Sequence, residues 1–308
     1  MHLFTGSRWN STAPPRDYSD VTTEPSGLQS QQRRRQFLIV GGTVLVVLIA
    51  VVALVVVKAV TGTGGPKSGE KATAATGVVI ANVASVPGSV FDQVGVGAVA
   101  ARPVGITAPA LIADGKPRVL YVGAEYCPYC AAERWAVAVA LSRFGTLHGL
   151  GQTASSPSDV YPNTQTLSFH GATFTSAYLT FTGKEIQSNQ VVDGQYARLD
   201  TLTAADTKLV ETYDAPPYLS SSGSIPFIDF GGKYLVGGAS YDPGVLQGKS
   251  RGEIAAALTQ PDSAIAKAVI GSANVITASI CAITDQQPGA VCASSGVRAA
   301  AATLQSRS

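Results

Sequence analysis

The chain has 308 residues, a formal net charge of +2 and 45% hydrophobic residues, enough for one large domain or two small ones. So balanced a charge lacks the basic footprint needed to neutralise phosphates, which argues against nucleic acid as a partner. Three histidines, His2, His148 and His170, are too few and too scattered for a histidine-rich metal site.

Residues 1–36 mix Ser, Thr, Gln, Pro and Arg without periodicity and read as a disordered cytoplasmic tail. From Phe37 to Val57 no charge interrupts an apolar run. Its length matches the roughly 20 residues, at about 1.5 Å each, that cross a bilayer core. Arg33, Arg34 and Arg35 precede the run, with Arg8 and Arg16 upstream, whereas only Lys58, Lys67 and Lys71 are scattered after it. By the positive-inside rule, residues 37–58 form one transmembrane helix in the cell membrane, N-terminus cytoplasmic and C-terminal domain extracytoplasmic. A cleaved signal peptide fits less well: the leader is long, the core exceeds a roughly 7–15-residue h-region, and no A-x-A site follows. A buried core helix is the third reading.

Residues 59–77, rich in Gly, Thr, Ala and Lys, read as a flexible tether. Gly62–Lys67 lacks the Gly-Lys-Ser/Thr ending of a phosphate loop. A folded domain is expected over 78–295, followed by a loose tail over 296–308. Within it, Arg118–Ala124 is a short apolar run of the buried-strand kind and leads directly into Cys127. Ala131–Phe144 follows with one apolar helical face. Tyr178–Phe181 and Phe227–Phe230 read as strands, and Gly231-Gly232 turns the latter into Lys233–Val236, a hairpin. Thr203–Tyr213, Ser250–Leu258 and Ile265–Ile283 read as helices. This alternation implies an α/β domain.

All four cysteines, Cys127, Cys130, Cys281 and Cys292, fall on the expected outer side, where an oxidising compartment favours disulfides. Cys127-Pro128-Tyr129-Cys130 has a mechanical reading. Pro128 suits the first position of a helix, which makes Cys127 the N-cap and Cys130 the third helical residue. The Cys127 thiolate would face free backbone N–H groups and the positive end of the helix dipole, which lower its pKa. Cys130 would then be the resolving thiol. Three readings compete: a structural disulfide, a zinc site using all four cysteines, and chance. The first closes too small a ring to gain much loop entropy. The second has a poorly matched second half, because ten residues separate Cys281 from Cys292.

The strand, the C-P-Y-C motif, the helix and the later S-I-P-F-I-D-F segment resemble the thioredoxin superfamily. More closely, Val119–Ala136, Ser155–Thr164, Ser222–Gly231 and Ile280–Cys292 resemble a membrane-anchored family of bacteria and archaea catalogued as a domain of unknown function. The resemblance spans roughly Val78 to Cys292. It implies a thioredoxin-like fold with an insertion and a C-terminal helical extension. It also implies thiol–disulfide oxidoreductase activity at Cys127 and Cys130, with no cofactor. Pro226 would be a cis-proline facing the motif, and Ile225 would offer its backbone to substrate, with Pro128 and Tyr129 completing the groove. Where thioredoxins carry a buried carboxylate six residues before the first cysteine, this chain has Tyr121. Glu125 and Glu133 are the nearest substitutes as proton acceptor, unless they are solvated surface charges. The Pro-Tyr dipeptide resembles that of glutaredoxins, which slightly favours an oxidase or isomerase over a reductase. Partners would be cysteine-containing envelope or secreted proteins, a membrane redox partner and the lipid bilayer. A binding or scaffold module that kept the fold without the chemistry is the alternative.

Cys281 and Cys292 read as a structural disulfide, with a relay pair as the sharper alternative. Gly248-Lys249-Ser250-Arg251-Gly252 matches a nucleophile elbow in letters only. Ser250 with Glu253 three residues on is better read as a capping box.

Overall fold

Because Val119 to Val122 is an unbroken apolar run, it can be buried on both faces, and it is. In the computed structural model, which describes residues 65–304, this run lies in the strand Lys116–Gly123, the centre of a six-stranded sheet. The expected tail and the membrane run 37–58 lie outside the described residues. The central strand pairs antiparallel with Phe227–Phe230, which pairs antiparallel with Tyr234–Gly237. On its other side Thr180–Glu185 runs parallel to it, with Tyr121 opposite Gly183 and Gly123 opposite Glu185. Alternate side chains feed two cores. Leu120 and Val122 join Phe227 and Leu235 on one face, while Val119 and Tyr121 join Trp135, Phe169 and Ile228 on the other.

A parallel neighbour demands a crossover, and the chain provides it through the helix Pro128–Ser142 and several short hairpins. That helix is buried almost all round, with Ala131, Ala132, Trp135, Ala136, Val139 and Ala140 inaccessible. It packs against the long helix Ala264–Ile283 and against the strand Gln165–Ser168. Among the described residues Ala264–Ile283 is the one helix long and apolar enough to span a membrane, but it is a core helix, buried within the domain. Gly271 lets it approach the segment before it: a Cβ there would sit 2.6 Å from the Val96 carbonyl oxygen. The bidentate pair of Arg118 and Asp206 (2.7 and 3.1 Å) fastens the central strand to the helix Ala204–Tyr213.

The structure is therefore mixed α/β, with sheets and eight α-helices among the described residues. Its ends differ from the expected boundaries. Residues 65–76, read as tether, lie on the domain. Gly69 N–H donates to the Asn189 carbonyl, Thr73–Ala74 pairs with Gly151–Gln152, and Glu70 meets Arg251 at 2.7 Å. Thr76 caps the helix Gly77–Ala84, which buries Val79 and Val83. At the far end Ser295–Ala301, expected to be largely loose tail, is a helix with Val297 and Ala300 buried. Both segments are too short and too Gly/Ala-rich to show a periodicity, and only their partners give them order.

Candidate functional site

The central strand ends at Gly123, and the next four residues are held by backbone bonds before the helix begins. Gly123 C=O accepts from Ile186 N, Glu125 N–H donates to Gln187 O, and Tyr126 C=O accepts from Ser156 N. Cys127 N–H closes the turn onto Ala124 O at 3.2 Å. Cys127 is the N-cap of Pro128–Ser142, in extended conformation, and Pro128 takes the first helical position. The Cys127 Sγ accepts the Cys130 N–H at 3.3 Å, the bond that an N-cap side chain makes.

This geometry separates two chemically identical thiols. Cys127 is 5% exposed and Cys130 is 0% exposed. The Cys130 side chain, the backbone N–H groups of Cys130 and Tyr129, and the Arg134 charge hold the Cys127 thiol below its usual range, outweighing burial. Burial, together with the neighbouring Cys127, pushes the Cys130 thiol well up. The thiolate therefore forms at the outer sulfur, at the positive end of a helix of 15 residues. Neither cysteine is in a disulfide.

Ile225 and Pro226 meet the motif across the fold. The Ile225–Pro226 peptide bond is cis, and the Ile225 carbonyl oxygen lies 3.7 Å from Cys127 Sγ. Ile225, Ile186 and Tyr126 pack on the cluster of Ala124, Cys127 and Cys130. Tyr129 is 41% exposed beside Cys127 and stands edge-on to Tyr161, whose hydroxyl donates to Asp242. Tyr126 stacks flat on Tyr196 at 4.2 Å, and the Tyr196 hydroxyl bonds Ser156.

The two carboxylates singled out in the sequence are not surface charges. Glu125 is buried and accepts from Ser168 Oγ at 2.7 Å, and burial raises its pKa. Glu133 is fully buried, and both oxygens are engaged by Ser240, one by its N–H at 2.8 Å and one by its hydroxyl at 2.7 Å. Burial raises Glu133 to about 7. Neither is among the principal charges acting on the sulfurs.

Those charges are Arg134 and Glu185, which the sequence did not flag. Both are fully buried. Arg134 donates from Nε and Nη2 to the two Glu185 oxygens at 2.8 and 2.7 Å, and from Nη2 to the Ala124 carbonyl at 2.6 Å. Arg134 stands four residues beyond Cys130, on the same helix face, and that spacing was a usable signal. Glu185 reaches the site through strand pairing with Gly123 and has no local signature.

Cys281 and Cys292 form a disulfide, both buried, with Cα atoms 5.7 Å apart. Among the described residues no three His, Cys, Asp or Glu side chains converge as a metal site requires.

The family model described as "Domain of unknown function (DUF929)" matches residues 103–282, more than half of the chain, including the residues around Cys127 and Cys130 but not Cys292. No curated protein and no solved structure matches the chain.

Proposed function

We propose that this chain, which belongs to the DUF929 family, is a membrane-anchored extracytoplasmic thiol–disulfide oxidoreductase of thioredoxin-like fold. The observation that carries the reading is the placement of Cys127. Its sulfur caps a helix, accepts the Cys130 N–H and lies 3.7 Å from the Ile225 carbonyl oxygen. The chain path supports it. A strand leads into the cysteine helix, a parallel strand follows, then the helix Ala204–Tyr213, and the cis-proline opens an antiparallel hairpin.

In the oxidising direction the motif begins as a Cys127–Cys130 disulfide. A substrate thiolate attacks Cys127 Sγ, the intramolecular S–S bond breaks, and Cys130 leaves and takes up a proton. A second substrate thiolate attacks the first substrate sulfur, forming the substrate disulfide and expelling Cys127 as thiolate. Two electrons pass to the motif, and a membrane-bound oxidant of disulfide or quinone class must take them away. Substrates would be cysteine-containing envelope or secreted proteins, and the anchor would be residues 37–58. A depressed Cys127 pKa makes it a good leaving group, which favours oxidase or isomerase over reductase.

The test is an equilibrium redox titration of the full chain in detergent, in graded glutathione buffers, with each cysteine counted by alkylation and mass spectrometry. Joint titration of Cys127 and Cys130 at roughly −120 to −200 mV places it with oxidants and isomerases, and about −270 mV with reductases. The competing reading, a scaffold that kept the fold without the chemistry, draws on the low exposure of Cys127. A pair that never exchanges with glutathione would establish that reading instead.

A further inference from the structure

The buried ion pair under the motif carries an inference that rests on the thiol-exchange reading and deepens it. Salt bridges between fully buried groups are weak devices for stability, since desolvation offsets most of the attraction. An apolar pair of similar volume would fill the same space. Arg134 and Glu185 are both inaccessible, and they sit where the strand end, the cysteine helix and the parallel strand meet. The pair is also asymmetric. Glu185 engages Nε and Nη2, Ala124 C=O takes a further bond from Nη2, and Nη1 has no hydrogen-bond partner among the described residues. The Tyr121 hydroxyl, which feels the Arg134 charge, is likewise buried and unpartnered among the described residues. That hydroxyl occupies the space of the missing Gly123 side chain, where a Cβ would lie within contact of it. The guanidinium shares the Ala124 carbonyl with the Cys127 N–H and stands one helical turn beyond Cys130, so a buried cation with an unmet donor underlies the two sulfurs, one of which must carry negative charge in every exchange cycle.

We propose that Arg134 is the positioning residue of the cysteine motif: locked by Glu185 and the Ala124 carbonyl, its guanidinium supplies the fixed counter-charge for the sulfur anion. Tyr121 adds a weaker, neutral donor. The groups that feel the guanidinium are Cys127, Cys130, Glu125, Tyr121 and Glu185. Arg134 remains protonated throughout: burial opposes its charge, but Glu185, Tyr121 and Cys130 together outweigh that cost. No proton passes through it. Its charge also acts on both thiols in the direction the inference requires.

The experiment measures, on the reduced full chain in detergent, the pH dependence of Cys127 alkylation by iodoacetamide, resolved by mass spectrometry. The variants are R134M/E185M, E185Q and R134K. The double variant removes both charges together and so leaves no unpaired buried ion. Its midpoint should move to higher pH, with alkylation near neutrality falling about tenfold for each pH unit moved. E185Q leaves the guanidinium uncompensated and should move the midpoint down. R134K keeps a cation and should stay near the wild type. Unchanged midpoints in both R134M/E185M and E185Q, with only a lower Tm, would reduce the pair to packing and overturn the inference. Should R134M/E185M fail to fold, E185Q decides by the same criterion. Glutathione exchange by the wild-type chain is scored separately. If it is absent, the exchange reading fails whatever the midpoints do. If it is present with immobile midpoints, only the role of Arg134 fails.

Discussion

The chain holds two cysteine pairs in one domain, and their surroundings make them different chemical objects. Cys127 and Cys130 flank the first turn of a helix, within reach of free N–H groups and a buried cation. Cys281 lies at the end of the apolar helix Ala264–Ile283 and is bonded to Cys292, eleven residues on, in the buried core. Both sulfurs of that second pair are tied in a buried disulfide, and neither cysteine is the N-cap of a helix. On the proposed reading, reactivity would follow from where a helix begins and what charge lies beneath it, and not from the cysteines themselves.

The comparison breaks first at Cys127. Replacing it in C127S should abolish mixed-disulfide formation with glutathione completely while leaving the Tm within a few degrees, as read by mass spectrometry and thermal melts. Residual turnover in that variant would place the nucleophile elsewhere. The second pair should respond in the opposite sense. C281S/C292S removes an eleven-residue loop constraint that chain entropy values at about 3 kcal/mol. That would lower the Tm by roughly 6–12 °C in a domain of this size, with Cys127 exchange at its wild-type rate. Turnover lost well below the new Tm would instead make the pair a relay.

Glu133 sharpens the contrast between charges that serve the sulfurs and charges that serve packing. Its folded pKa of about 7 lies above the ordinary 4.5, so the fold favours the neutral acid. Stability from this group is fully present below about pH 4.5 and is lost as pH rises through 7. E133Q should therefore raise stability at pH 8 by on the order of 2 kcal/mol and change little at pH 4.5, with Cys127 alkylation unaffected. Melting curves at the two pH values check it; a variant that slows exchange at unchanged stability would return Glu133 to the proton-acceptor role. The smallest effect belongs to an ordinary helix start. Ser250 and Glu253 form a full capping box before Arg251–Ala257. S250A should cost about 1 kcal/mol in denaturant unfolding with no change in exchange.

Much of the site is legible in the sequence. Pro128 after a cysteine, at the end of an apolar run, reads as a helix start because its fixed φ and missing N–H suit that position alone, and the helix does start there. The capping box of Ser250 and Glu253 was readable from its spacing alone. Glu125 and Glu133 were ambiguous. A carboxylate's sequence neighbours do not reveal whether a partner such as Ser168 or Ser240, more than forty residues away, waits to receive it.

The amino-acid sequence by itself determined the helix-capping cysteine, the central strand, the hairpin after Pro226 and the length of the core helix. These depend on dihedral preferences and apolar runs within a few residues of one another. Tertiary structure alone decided that Glu185 lies beneath the motif, that Tyr121 fills the space left by Gly123, and that residues 65–76 dock on the domain. Each of these is a meeting of groups separated along the chain or fixed by packing. Strand register and the burial of charge set such meetings, and neither leaves a local trace in sequence.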